Sequence, residues 1–95
     1  PINKGTYSWV LGPTYETPSE IKKIKSFGGD VVGMSTMPEI IKAKEYNMNV
    51  IGLSCISNYA SGISPNPLTH QDVLDEVNKS KNIFTNLLLD IIKFI

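Results

Sequence analysis

The stretch that decides the fold is residues 30–39, which read DVVGMSTMPE. Two adjacent valines begin a short β-branched run, which is typical of a strand buried on both faces. Thr36 and Glu39 follow at the spacing of a capping box, which predicts a helix start. A helix N-terminus with the hydroxyls of Ser35 and Thr36 beside it predicts an anion site. The alternative is that this turn is purely structural, as it is in many α/β proteins.

The segments on either side continue the alternation between strand and helix. Residues 6–11 are rich in aromatic and β-branched side chains, and residues 50–57 are an apolar run of strand length, so both are predicted strands. Capping patterns and apolar spacing predict helices over 18–27, 37–46 and 69–95. The order β-α-β-α-β-loop-α predicts an open, mostly parallel or mixed α/β sheet with flanking helices.

Composition excludes several classes of partner. Nine basic and nine acidic residues in a chain of 95 give a formal net charge of zero, which predicts no nucleic-acid or acidic membrane partner. The apolar segment 87–95 is interrupted by Asp90 and Lys93 and is shorter than the about 20 residues that span a bilayer.

The single cysteine, Cys55, excludes an intramolecular disulfide, and the absence of disulfides predicts a cytoplasmic protein. Because Cys55 lies in an apolar run, its thiol is predicted to be buried and inert. No metal-ligand spacing is present, so no metal site is predicted.

Polar side chains follow each of the three predicted strands, at residues 14–16, 34–36 and 57–58. Because ligands collect at the carboxyl ends of strands in open α/β sheets, these clusters predict one site. Glu16 offers two acceptor oxygens, and the amide of Asn58 donates and accepts. Together with the predicted anion site, Glu16 and Asn58 suit a ligand that has a planar, hydrogen-bonding part and a charged part. A nucleobase with phosphate fits this description. The alternative interpretation is an exposed loop carboxylate and a turn asparagine.

Three linked motifs carry a resemblance to a known family. They are GPTYET at 12–17, GMSTMPE at 33–39 and SNYASGIS at 57–64, followed by LTH at 68–70. In this order they resemble the trimeric purine nucleoside phosphorylases, over all of residues 1–95. The resemblance covers about the C-terminal third of that family's chain, which implies that residues 1–95 are the C-terminal segment of a single nucleoside phosphorylase domain.

The resemblance implies an enzyme that, when complete, converts inosine or guanosine and phosphate to the free base and ribose 1-phosphate. It also implies a homotrimer, and it implies no cofactor, since phosphate is a substrate. By position, Glu16 matches the residue that binds the N1 and N2 edge of a 6-oxopurine, and Asn58 matches the donor to purine N7. The related methylthioadenosine phosphorylases are expected to carry serine and aspartate at these two positions, so this pair favours 6-oxopurines.

Four further positions match substrate contacts of the same family. Ser35 matches a phosphate contact. The other three match contacts to base or sugar: Tyr15 beside both, Met34 against the ribose and His70 at the ribose 5′-hydroxyl.

The chain departs from the family in what it lacks. It contains no arginine, whereas the family uses an arginine among its phosphate contacts on earlier segments. A phosphate held by Ser35 and backbone amides alone would be bound weakly, so we expect residues 1–95 to be inactive without the rest of a phosphorylase chain.

Because the chain opens on Pro1, it is either processed or a piece of a longer protein. The alternatives are a non-catalytic α/β module that binds a purine or a partner protein, and a folding unit with no function of its own.

Overall fold

The computed structural model describes residues 2–64 and 69–95, which form an α/β structure. The predicted alternation of strands and helices is confirmed through the first four elements and the final helix. Residues 65–68, which include part of the predicted loop and the leucine of the LTH motif, lie outside the described residues. The elements are β1 (Tyr7–Trp9), α1 (Pro18–Ser26), β2 (Val31–Gly33), α2 (Met37–Glu45) and α3 (His70–Phe94).

The two strands are parallel, and α1 connects them, which makes the first half of the chain a β-α-β unit. Tyr7 pairs with Val31, and Trp9 pairs with Gly33. The strands are shorter than the predicted six-residue segment at 6–11. Beyond the paired residues, the Val10 amide still donates to the Gly33 carbonyl at 2.9 Å. Both strands therefore end at the same edge of the sheet, as parallel pairing requires.

Helix α1 begins and ends as the sequence predicts. The Thr17 hydroxyl accepts the Glu20 amide proton at 3.2 Å, and the Glu20 carboxylate accepts the Thr17 amide proton at 3.2 Å. After the helix, Gly28 adopts a φ of +91°, which glycine accommodates without strain. Ile21 of α1 is 7% exposed and is the one buried residue of the part that the structure describes.

The capping box predicted for α2 is wrong. Thr36 has a φ of 76° and a ψ of −48°, and its side chain accepts no capping hydrogen bond. The Met37 amide instead donates to the Ser35 carbonyl at 2.8 Å, so residues 35–37 form a three-residue γ-turn with a positive central φ. This turn directs the Thr36 hydroxyl to Ser35 Oγ, at 3.3 Å, and away from the next turn of the helix. At the other end of α2, Asn47 has the predicted left-handed conformation, with a φ of 55°.

The prediction of a third strand at residues 50–57 is also wrong for the described structure, in which this segment has no regular secondary structure. A strand requires a backbone partner for its amide and carbonyl groups, and none of the described residues pairs with this segment. The predicted buried thiol of Cys55 is consequently exposed.

Helix α3 has the predicted capping box, because the Thr69 hydroxyl accepts the Asp72 amide proton at 3.1 Å and Asp72 accepts the Thr69 amide proton at 3.1 Å. Its 25 residues extend about 37 Å at 1.5 Å per residue. None of them is buried. Within the ranges 2–64 and 69–95, no helix is both long and apolar enough to cross a membrane.

The molecule exposes more surface than a compact protein of its mass. Its accessible surface is 8062 Å² for 10.5 kDa, against about 5400 Å² from the usual dependence of surface on mass. Its radius of gyration is 14.9 Å, against about 12 Å for a compact domain of this length. Much apolar surface of the helices therefore has no packing partner among the described residues.

Candidate functional site

The turn after β1 lies against the turn after β2. Gly12 has a φ of +69°, and a Cβ atom built on it would lie 2.5 Å from the Met34 sulfur. Only a glycine allows this approach and this backbone conformation together. The GPTYET and GMSTMPE motifs are thus in contact, as their places at the carboxyl ends of parallel strands predict.

Two aromatic side chains of β1 hold the backbone of the second motif. The Tyr7 hydroxyl donates to the Ser35 carbonyl at 3.0 Å and accepts the Ser35 amide proton at 3.4 Å. The Trp9 indole donates to the Met34 carbonyl at 3.3 Å. Sequence reasoning gave neither Tyr7 nor Trp9 a role. The signal that could have found them is their spacing, because alternate residues of a strand project from the same face.

Tyr15 and His70 meet although 55 positions separate them in the sequence. The Tyr15 hydroxyl lies 3.4 Å from Nδ1 of His70, which is the first residue of α3. The contact is open to solvent, since Tyr15 is 44% exposed. The contact brings the start of α3 to the loop that precedes α1. Tyr15 and His70, which are both predicted to contact the sugar, are therefore neighbours in space.

Glu16 and Asn58, the two predicted catalytic residues, are both half-buried. Asn58 donates one amide proton to the Tyr59 carbonyl at 2.9 Å, and its oxygen accepts a hydrogen bond from the Ser57 hydroxyl. A primary amide has two N–H groups, so a second donor remains for a ligand. Within residues 2–64 and 69–95, the Glu16 carboxylate forms no hydrogen bond or ion pair. Among the described residues, no hydrogen bond joins Glu16 to Asn58.

The third motif lies against the start of α1. Gly62 has a φ of +82°, and a Cβ atom built on it would lie 2.8 Å from Cβ of Pro18. Pro18 directly follows the GPTYET motif, so the SNYASGIS motif reaches the same region of the molecule. The three motifs that carry the resemblance are therefore neighbours in space.

An apolar groove of about 570 Å³ lies between α2, residues 50–53 and α3, and Thr36 of the predicted anion site is among the residues that line it. None of the six predicted site residues lines it. Its walls include Ile40 and Ala43 of α2 and Phe84 and Leu88 of α3. The groove has few polar groups to orient a small ligand, which a binding site for a nucleoside and phosphate needs.

Comparison with known proteins places the chain in a family. The model of the phosphorylase superfamily matches residues 1–93. Purine nucleoside phosphorylase 1 of Bacillus subtilis is 48% identical over 92 residues, and the protein of the same name from Geobacillus stearothermophilus is 47% identical over 92 residues. A protein of Dictyoglomus turgidum named as a probable 6-oxopurine nucleoside phosphorylase is 47% identical over 88 residues.

These alignments cover most of this chain and a minor part of each relative. They include 97% of the chain for the first two relatives and 88% for the third. The covered share of each relative is 34%, 34% and 33%, respectively. The chain thus spans about a third of the length of the relatives it matches. Since the family model covers nearly every residue, the chain belongs to the phosphorylase superfamily.

Proposed function

We propose that this chain supplies the base and ribose side of a purine nucleoside phosphorylase site, which cleaves 6-oxopurine nucleosides with phosphate. The Tyr15–His70 contact carries the proposal. It joins two residues that are distant in sequence and that the resemblance assigns to the sugar through two different motifs. The names of the relatives support the same reaction class.

In the proposed reaction, an oxygen of hydrogen phosphate attacks C1′ of the ribose while the C1′–N9 bond breaks. The electron pair of that bond passes to the purine, and the phosphate proton balances the charge when it is transferred to the base. The products are the free purine and ribose 1-phosphate. No covalent enzyme intermediate and no cofactor are needed, because the phosphate is itself the nucleophile and is held next to the sugar.

Asn58 is suited to stabilise the departing base. Negative charge grows on the purine as the glycosidic bond breaks, so a donor at N7 binds the transition state more strongly than the substrate. The amide proton that Asn58 does not give to Tyr59 is available for this bond. Glu16 would accept hydrogen bonds from the N1 and N2 edge of the same base, which distinguishes a 6-oxopurine from a 6-aminopurine. Met34 would lie against the ribose between them.

We further propose that the functional subunit contains a polypeptide equivalent to the two-thirds of the relatives that this chain does not span. The surface in excess of a compact protein is about 2600 Å² by the mass relation. This area on one partner is as much as one side of a large permanent interface buries. The apolar groove beside residues 50–53 is part of that surface. The missing polypeptide would cover the groove, pair with residues 50–57 and supply the cationic phosphate contacts. The complete protein is proposed to be a cytoplasmic homotrimer, as in the family that it resembles.

The first test is release of hypoxanthine from inosine by the purified chain, with and without phosphate. We expect no release, because a phosphate without an arginine contact is held weakly. Phosphate-dependent release would show that the proposed second polypeptide is dispensable.

The second test uses a chimeric subunit in which residues 1–95 replace the matching third of the Bacillus subtilis relative. We expect the chimera to release hypoxanthine only in the presence of phosphate. An inactive but folded and trimeric chimera would contradict the proposed function. Saturable purine binding without turnover would favour a non-catalytic module instead.

A further inference from the structure

We propose that Tyr7 is a positioning residue of the phosphate site: its hydroxyl fixes the backbone of Ser35 and so determines where the Ser35 side chain stands. This inference rests on the proposed function for the role of Ser35. The geometry of Tyr7 itself stands independently of that function.

The Tyr7 hydroxyl satisfies both backbone groups of one residue. It donates to the Ser35 carbonyl at 3.0 Å and accepts the Ser35 amide proton at 3.4 Å. A hydroxyl is among the few side-chain groups that donate and accept at one atom. The residue before Ser35 is held in the same way, because the Trp9 indole donates to the Met34 carbonyl at 3.3 Å. Side chains from one face of β1 therefore contact two consecutive peptide units of the turn.

The turn that receives these bonds is strained. Thr36 is β-branched and has a φ of 76°, a conformation that β-branched residues rarely adopt. Strain of this kind persists only where the surroundings hold it, and it is frequent at functional sites. The Met37 amide closes the γ-turn by donating to the Ser35 carbonyl at 2.8 Å. That carbonyl thus accepts two hydrogen bonds, one from within the turn and one from Tyr7.

Gly33 makes room for the Tyr7 hydroxyl. A Cβ atom built on Gly33 would overlap that hydroxyl and lie 2.7 Å from Cζ of Tyr7. Gly33 has an ordinary backbone conformation, so the contact with Tyr7, and not its φ, requires a glycine here. Any larger side chain would displace the ring that holds Ser35.

This arrangement determines which group of Ser35 faces a phosphate. The Ser35 amide proton is directed at Tyr7, so the amide is already engaged. The exposed Ser35 hydroxyl, whose oxygen lies 3.3 Å from the Thr36 hydroxyl oxygen, is the group left for the anion. Tyr7 would thus act on phosphate binding through Ser35 without touching the phosphate.

The geometric part of the proposal is tested on the chain alone by amide hydrogen exchange, measured by NMR at Ser35 and Met37. Tyr7→Phe should speed exchange at both amides by about three- to tenfold, which is the effect of losing a modest hydrogen bond. Tyr46→Phe is the matched control, because Tyr46 is 70% exposed and lies at the far end of α2. Gly33→Ala should reproduce the effect of Tyr7→Phe. Unchanged exchange in both test variants would overturn the proposal.

The functional part is tested in the chimeric subunit described above. Tyr7→Phe should raise the phosphate KM by about three- to tenfold and change the inosine KM less than about twofold. Equal changes in both KM values would mean a general structural role and would overturn the assignment. If the chimera with the native Tyr7 is inactive, the proposed function fails, and the exchange measurement still decides whether Tyr7 holds Ser35.

Discussion

The Tyr15 hydroxyl lies 3.4 Å from Nδ1 of His70 and connects the loop before α1 to the first residue of α3. Helix α3 has no buried residue, and this polar contact joins its first residue to the first half of the chain. The capping box of Thr69 with Asp72 orders the same turn from within. The predicted sugar-binding region therefore coincides with the point where α3 is attached.

Removal of the Tyr15 hydroxyl should loosen the first turn of α3. In Tyr15→Phe the ring remains and the bond to His70 is lost, which should lower local stability by about 0.5–1.5 kcal/mol. Hydrogen exchange measured by mass spectrometry over residues 69–75 should become faster. Tyr59→Phe is the control, because Tyr59 is 72% exposed. Equal exchange in the two variants would show that the contact does not hold the helix.

Two glycines with positive φ should respond differently to alanine. Gly12→Ala adds a Cβ 2.5 Å from the Met34 sulfur, whereas Gly28→Ala meets no atom within 4 Å. The positive φ should lower the free energy of unfolding of both variants by about 1 kcal/mol. Only Gly12→Ala should lower it further, by about 1–3 kcal/mol, because the added Cβ overpacks the contact with Met34. Urea denaturation should therefore give the lower midpoint for Gly12→Ala. A lower midpoint for Gly28→Ala would contradict the contact between the first two motifs.

The two threonines that precede α1 and α2 should differ in their effect on stability. Thr17→Ala removes a formed capping box and should lower the free energy of unfolding by about 1 kcal/mol. Thr36→Ala removes no capping bond and should have a smaller effect. Thr36→Gly should raise stability by about 1 kcal/mol, because glycine adopts a positive φ without strain. Thermal unfolding of the three variants measures this order, and destabilisation by Thr36→Gly would refute the strained turn.

Asn58→Asp tests the base specificity of the proposed reaction. An aspartate oxygen accepts a hydrogen bond where the asparagine amide donates. Beside N7, it should therefore favour the 6-amino group, which donates, over the 6-oxo group, which accepts. In the chimeric subunit, the ratio of kcat/KM for inosine to that for adenosine should fall by at least about tenfold. Asn78→Asp, on the exposed surface of α3, should leave the ratio unchanged. The same ratio in both variants would falsify the role of Asn58.

Cys55 reports whether residues 50–57 gain a partner. Its thiol is exposed in this chain, so it should react with a small thiol reagent nearly as fast as in the urea-denatured chain. In the chimeric subunit, the proposed pairing of residues 50–57 should slow the reaction markedly. Mass spectrometry of the peptide that contains Cys55 measures both rates. A thiol that reacts equally fast in both forms would exclude pairing of this segment.

The sequence predicts local features of this fold better than features that depend on distant partners. The capping boxes at Thr17 and Thr69 form because each needs atoms from one turn of chain only. The Thr36 capping box fails although its spacing is correct, since contacts from Tyr7 stabilise a competing turn. The strand predicted over 50–57 fails because a strand needs a neighbour, which its own sequence does not provide.

The candidate site shows the same division. The motifs identify Tyr15 and His70, whose side chains then meet in the structure. The roles assigned to Glu16, Met34, Ser35 and Asn58 remain predictions, and so do the sugar contacts assigned to Tyr15 and His70. Tyr7 and Trp9 were not predicted, because an aromatic residue in a strand is most often a packing residue. Their contacts with the second motif depend on strand pairing, which is a property of the folded chain.

The pairing of β1 with β2 sets Tyr7 opposite Val31 and Trp9 opposite Gly33. In a strand, a slip of one residue moves every side chain to the opposite face, and it would bring Ser8 and Val10 to the positions now held by the two aromatic residues. Neither a short serine nor an apolar valine could replace the bonds to Met34 and Ser35. Strand alignment in this small sheet is therefore a condition for the shape of the turn. A misaligned sheet would retain its secondary structure, whereas the turn that forms the predicted anion site would be lost.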